Sequence, residues 1–100
     1  MPNATQMDLS FPYPPEDFAS SLKALWWLKK GNLGLGQEWE AAHNICQGAE
    51  GDPVHDWIHA LCHLIEGDAG NAAYWFRRAG KPRTSSEPRV VWEEIAAALR

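Results

Sequence analysis

Cysteine is scarce in this chain: Cys46 and Cys62 are its two cysteines in 100 residues. Two thiols cannot form the dense disulfide framework of small secreted domains. Both also fall inside apolar helical pattern rather than in loops, so reduced thiols and a cytoplasmic setting are expected. Neither C-x-x-C nor H-E-x-x-H occurs, which removes the strongest zinc signatures. Long apolar runs are missing too. A dense stretch such as Leu25-Trp26-Trp27-Leu28 is far too short for a bilayer, and no membrane span is expected. The opening MPNATQMDLSF has no basic start followed by an apolar stretch, so no signal peptide is expected and the Asn3-Ala4-Thr5 sequon carries no weight. Basic charge is also short: a net charge of −4 opposes general nucleic-acid binding, which needs a positive field against phosphates. No segment alternates apolar and polar residues as a strand would, and no phosphate loop is present.

What the chain does have is tryptophan. Six of them, at positions 26, 27, 39, 57, 75 and 92, are spread through every segment with helical pattern. A domain this small gains most from a few bulky core pieces. Residues 1–14 are polar and proline-bearing and predict an extended or disordered arm, with 15–100 as a single helical domain. Pro15, with Glu16 and Asp17 behind it, predicts a first helix over about residues 16–30, with Lys29 and Lys30 in its last turn and Gly31 at C′. Asn32–Gly36 interrupts the pattern, and Trp39–Gln47 resumes it through Trp39, Ala42, Ile45 and Cys46. Asp52-Pro53 is a start signal, a capping carboxylate followed by proline at the first helical position. The third helix then runs to about Glu66, with Trp57, Ile58, Leu61, Leu64 and Ile65 on one arc and His55, His59, Cys62, His63 and Glu66 on the other. Gly67 closes it, and Asp68 caps a fourth helix over about 69–79 whose inner face is Ala69, Ala72, Ala73, Trp75, Phe76 and Ala79. Pro88 starts a fifth, with Val91, Trp92, Ile95 and Leu99 on one side.

The pattern Ala60, Gly67, Ala72, Phe76 and Ala79 resembles one tetratricopeptide-type repeat, in which small residues mark the close contact of two antiparallel helices. Ala24, Gly31, Trp39 and Ala42 resemble a degenerate second copy, loosened by the Asn32–Gly36 insertion. The region from Leu22 to Leu99 is also similar to a family of small uncharacterised bacterial proteins. The shared segments are Ala24-Leu25-Trp26, Trp39–His43, the core from Ile58-His59-Ala60 through Gly80, and Trp92–Ile95. The resemblance implies an all-α fold of about five helices in antiparallel hairpins, a right-handed tetratricopeptide-like repeat with a C-terminal capping helix. It implies no activity.

Chemistry has few places to sit. His59 and His63, at i and i+4, project from one helix face with Glu66 one turn on, and His55, Cys62, His43 or Cys46 lie within reach. Such a set suits a divalent transition metal, which needs three or four converging N, O or S ligands. The plainer alternative is a pair of partly buried histidines bonded to the second helix or to Glu66. Neither cysteine sits at a helix N-terminus or in a basic setting that would activate it, so nucleophilic catalysis is not expected. Arg77, Arg78, Lys81 and Arg83, beside Tyr74 and Trp75 and with Asn71 as a further donor, form a basic patch fit to hold a carboxylate or phosphate on a partner, although cations at a helix C-terminus also simply complement its dipole. Trp26 and Trp27 cannot both enter one core, so one of them should meet the arm residues Phe11 and Tyr13 or another subunit. The leading expectation is therefore a non-enzymatic, cofactor-free module that binds a protein or peptide or self-associates. The alternative is a metal- or small-ligand-binding domain using His59, His63 and Glu66.

Overall fold

The computed structural model describes residues 7–99; the first six residues of the expected arm, with the Asn3 sequon, lie outside the described residues, as does Arg100. Five helices follow one another with no strand among the described residues: α1 (Ser20–Lys30), α2 (Gln37–Gln47), α3 (Pro53–Ile65), α4 (Ala69–Ala79) and α5 (Pro88–Ala98). The all-α class expected from the pattern is what the chain adopts. The caps act as anticipated, with Asp52 accepting from the His55 amide and Asp68 from the Asn71 amide.

The center of the fold is α3, which packs against α4, α2, α5 and α1. From Ile58 to His63 every residue is buried. On the histidine arc His55, His59, Cys62 and His63 are buried, and Glu66 at its end is exposed. The α3–α4 contact is the most extensive between two helices, and Ala60 on α3 and Ala72 on α4 are both buried in the core. On α4 the buried stripe is narrower than expected: Ala72, Trp75, Phe76 and Ala79 are buried, whereas Ala69 and Ala73 are exposed because α4 packs on α3 alone. A leucine at position 72 would push two backbones apart, and Ala72→Leu should cost about 1–3 kcal/mol in a urea melt. A neutral result would mean the hairpin is looser than its burial implies.

The first helix starts at Ser20 rather than near residue 16. Pro15 does initiate a turn, with the Phe18 amide donating to its carbonyl at 3.2 Å, but Ala19 is extended (ψ 154°) and stops it. Tertiary contacts override local propensity here. The incoming segment runs back along α1, where Trp26 Nε1 donates to the Asp8 carbonyl (3.0 Å) and Lys30 Nζ to the Leu9 carbonyl (2.7 Å). Trp26 is fully buried, and Trp27 is half-buried with Tyr13 edge-on to it at 6.4 Å, while Phe11 stays exposed. Gly31 was expected to supply a left-handed C′ position, yet its φ is −83° and Asn32 and Leu33 are left-handed instead (φ 56° and 57°). Gly31 is required for space: a Cβ there would lie 2.8 Å from Glu38 Cβ on α2. Gly67 is the conformational case, at φ 82° between α3 and α4.

α5 closes the core from the side of α1 and α3 and does not touch α4. Trp92, fully buried, joins it to α1 by donating from Nε1 to the Leu25 carbonyl at 2.9 Å.

Candidate metal centre

Where α2 crosses α3, three imidazoles converge. One ring nitrogen from each of His43, His59 and His63 lies within 4.8 Å of the other two. His43 is half-buried on α2, and His59 and His63 are buried on successive turns of α3. The i, i+4 spacing puts the α3 pair on one face, with ring centroids 4.9 Å apart and nearly parallel. His43 enters edge-on to both.

Two tryptophans wall the cluster. Trp39 stacks on His43 with centroids 4.7 Å apart, and Trp75 from α4 stacks on His59 at 3.9 Å. Trp39 is itself held by donating from Nε1 to the Cys62 carbonyl at 2.9 Å. The walls fix the ring planes and lower the local dielectric, which makes a proton on His43 or His59 costly. Burial, reinforced by His43, His63 and Arg78, depresses the His59 pKa to about 4. Burial and His63 lower His43 as well, with Glu66 acting weakly the other way. At neutral pH both rings are neutral and carry a lone pair.

Glu66 stands behind His63, its Oε1 2.5 Å from His63 Nδ1. A carboxylate only accepts, so Nδ1 of His63 carries the proton of this bond, and the neutral tautomer it selects has its lone pair on Nε2. Orientation of a ligating histidine by a carboxylate on its far nitrogen is the usual outer shell of a metal site. His43 and His59 face each other nitrogen to nitrogen at 3.1 Å, and His59 Nδ1 is buried without a hydrogen-bond partner.

The other expected participants go elsewhere. Cys46 and Cys62 are both fully buried, and a sulfur hydrogen bond between them, with burial, pushes the Cys46 thiol far up. His55 leaves the histidine group and bonds to Ser20 and Asp52. On the outer face of α4, the Asn71 amide group donates to its own cap Asp68. Tyr74 and Arg78 pair at 3.3 Å, Arg78 lies over Trp75, and Lys81 lies over Trp57. Arg77 is exposed beside them.

Sequence spacing brings out His59, His63 and Glu66, but the third imidazole, His43, was one of several residues in reach. Its placement depends on the α2–α3 crossing. No protein-family model, curated protein or solved structure matches the chain. Among the described residues no helix is long and apolar enough to cross a membrane.

Proposed function

We propose that the protein binds a divalent transition metal through His43, His59 and His63, with Glu66 orienting His63. The observation that carries this reading is the convergence of three ring nitrogens within 4.8 Å between two tryptophan walls. Two nitrogens on one tetrahedral ion at bond lengths of about 2.0–2.1 Å stand roughly 3.3 Å apart, close to the 3.1 Å between His43 and His59. An all-imidazole set suits zinc, copper or nickel better than magnesium or calcium. An ion would also clip α2 to α3, and so tie the two halves of the chain together.

The test is native mass spectrometry with elemental analysis on untagged protein, followed by zinc titration. One zinc per chain is expected, lost in His43→Ala and His63→Ala. Glu66→Gln should bind about 10–100-fold more weakly, as outer-shell changes typically do. Folded protein that takes up no zinc at millimolar concentration would sink the proposal.

A second reading rests on the outer face of α4, where Tyr74 is 44% exposed and Arg78 already lies over the Tyr74 and Trp75 rings. Asn71, Tyr74, Arg77, Arg78 and Lys81 there would suit an acidic peptide on a tetratricopeptide-like hairpin. Because α5 does not continue the stack beyond α4, such a surface would be one helix wide.

A further inference from the structure

At the end of the molecule where α1 and α3 begin, three side chains from two helices form a hydrogen-bonded chain. Ser20 Oγ, in the first turn of α1, is 2.8 Å from His55 Nε2. His55 Nδ1 is 2.6 Å from Oδ2 of Asp52, the N-cap of α3. We propose that Ser20, His55 and Asp52 form a nucleophilic triad that hydrolyses carboxylic esters, with Ser20 as nucleophile, His55 as general base and acid, and Asp52 as the residue that positions His55. This activity is independent of the metal site and goes beyond the non-enzymatic expectation drawn from the sequence.

The directions of the bonds follow from the groups. An ionised Asp52 only accepts, so the imidazole proton resides on Nδ1 and the Nε2 lone pair faces the serine hydroxyl. The His55 hydrogen bond to Asp52 lowers the Asp52 pKa, which keeps the carboxylate ionised. Asp52 Oδ2 also accepts from the His55 amide at 3.0 Å, so the carboxylate is anchored at the helix start and the ring is held relative to it. The His55 side chain is only 11% exposed, the Asp52 side chain is 50% exposed at the helix start, and Ser20 is open to solvent and so to substrate.

The surroundings suit the chemistry. Ala19 caps α1 without a side-chain hydrogen bond, so the first amides of the helix lack intrahelical acceptors beside the serine. Such amides can receive the oxyanion that develops on a carbonyl oxygen. A groove of about 360 Å³ is lined by Phe11, Pro12, Tyr13, Pro14, Pro15 and Glu16. Three residues of chain lie between Glu16 and Ser20, so their Cα atoms are at most roughly 14 Å apart. An ester with an apolar acyl group is therefore the substrate class.

The steps balance with water alone. Ser20 Oγ attacks the carbonyl carbon as its proton passes to His55 Nε2, and the carbonyl π electrons move onto oxygen. The carbonyl re-forms, the carbon–alkoxide bond breaks, and His55 gives its proton to the leaving alcohol. Water then attacks the acyl-Ser20 ester with His55 again taking the proton, and the acid leaves as Ser20 recovers its hydrogen.

The test uses the full chain in EDTA, so that hydrolysis at the histidine metal site cannot contribute. A fluorophosphonate probe should add once, at Ser20 by peptide mapping, and p-nitrophenyl butyrate should give a burst of one p-nitrophenol per chain. Ser20→Ala should lose both. Asp52→Asn and His55→Gln, each checked for helical circular dichroism, should be labelled at least roughly 100-fold more slowly. Folded wild-type protein that acquires no adduct on Ser20 overturns the proposal, as does equal labelling of wild type and a folded Asp52→Asn. Zinc uptake is measured separately, so failure here leaves the metal reading standing.

Discussion

Trp92→Ala should destabilise the protein by about 3–5 kcal/mol, the range for removing a fully buried tryptophan. The ring is fully buried, its Nε1 donates to the Leu25 carbonyl at 2.9 Å, and Lys29 Nζ lies 4.4 Å from its centroid. Since α5 meets only α3 and α1, few other contacts can compensate for the cavity. Domains of this kind have about 5–15 kcal/mol in total, so the variant should be near the edge of folding at 37 °C. Trp92→Phe separates packing from the hydrogen bond: it keeps much of the ring, removes the donor, and should cost roughly 1–2 kcal/mol beyond the small loss of volume. Urea unfolding followed by circular dichroism measures both. A Trp92→Ala midpoint equal to wild type would mean that α5 is not an integral part of the core.

The second large effect is on acid stability. His59 is 2% exposed and its pKa in the folded chain is about 4, against an ordinary value of 6.5. Above pH 6.5 the ring is neutral whether the chain is folded or not, and its full contribution to stability is present. Between pH 6.5 and 4 the unfolded chain takes up a proton that the folded chain refuses, so stability falls as pH falls. Below about 4 both states are protonated and this loss levels off. The shift corresponds to up to roughly 3 kcal/mol at a little over 1.3 kcal/mol per pKa unit. His43, also lowered, acts in the same direction. Unfolding free energies measured in EDTA across that window should have a steep slope in wild type and a shallower one in His59→Gln. Equal slopes would remove His59 as the origin. A bound metal should be held through most of that window and released only as pH falls toward about 4, where protons begin to compete with the ion for the His59 lone pair in the folded chain.

Much of the architecture was legible in the sequence because it depends on local signals. Asp52-Pro53, Asp68 and Gly80 mark ends that a helix requires for backbone reasons, and the structure has α3 starting at Pro53 and α4 ending at Ala79. The 3.6-residue spacing of Val91, Trp92 and Ile95 marked the buried side of α5. Local signals failed where the chain meets itself. Pro15 promised a helix start, but Ala19 turns the chain so that residues 7–9 can satisfy Trp26 and Lys30. Gly31 looked like a conformational stop and is there to admit Glu38.

The two candidate sites divide along the same line. The i, i+4 histidines and the carboxylate one turn on were readable, since one helix carries all three. His43 had many possible neighbours until α2 was laid across α3, and Ser20 had no marker, being 35 residues from His55 in the chain. The sequence by itself determined five helices, most of their ends, and which side chains can stand on one face, because those follow from backbone hydrogen bonding and helical period. Only the tertiary structure decided that a third imidazole joins His59 and His63, and that a serine meets His55. Contacts between helices depend on how bulky faces such as those of Trp39, Trp75 and Trp92 fit together, and that fit is a property of the whole core rather than of any segment.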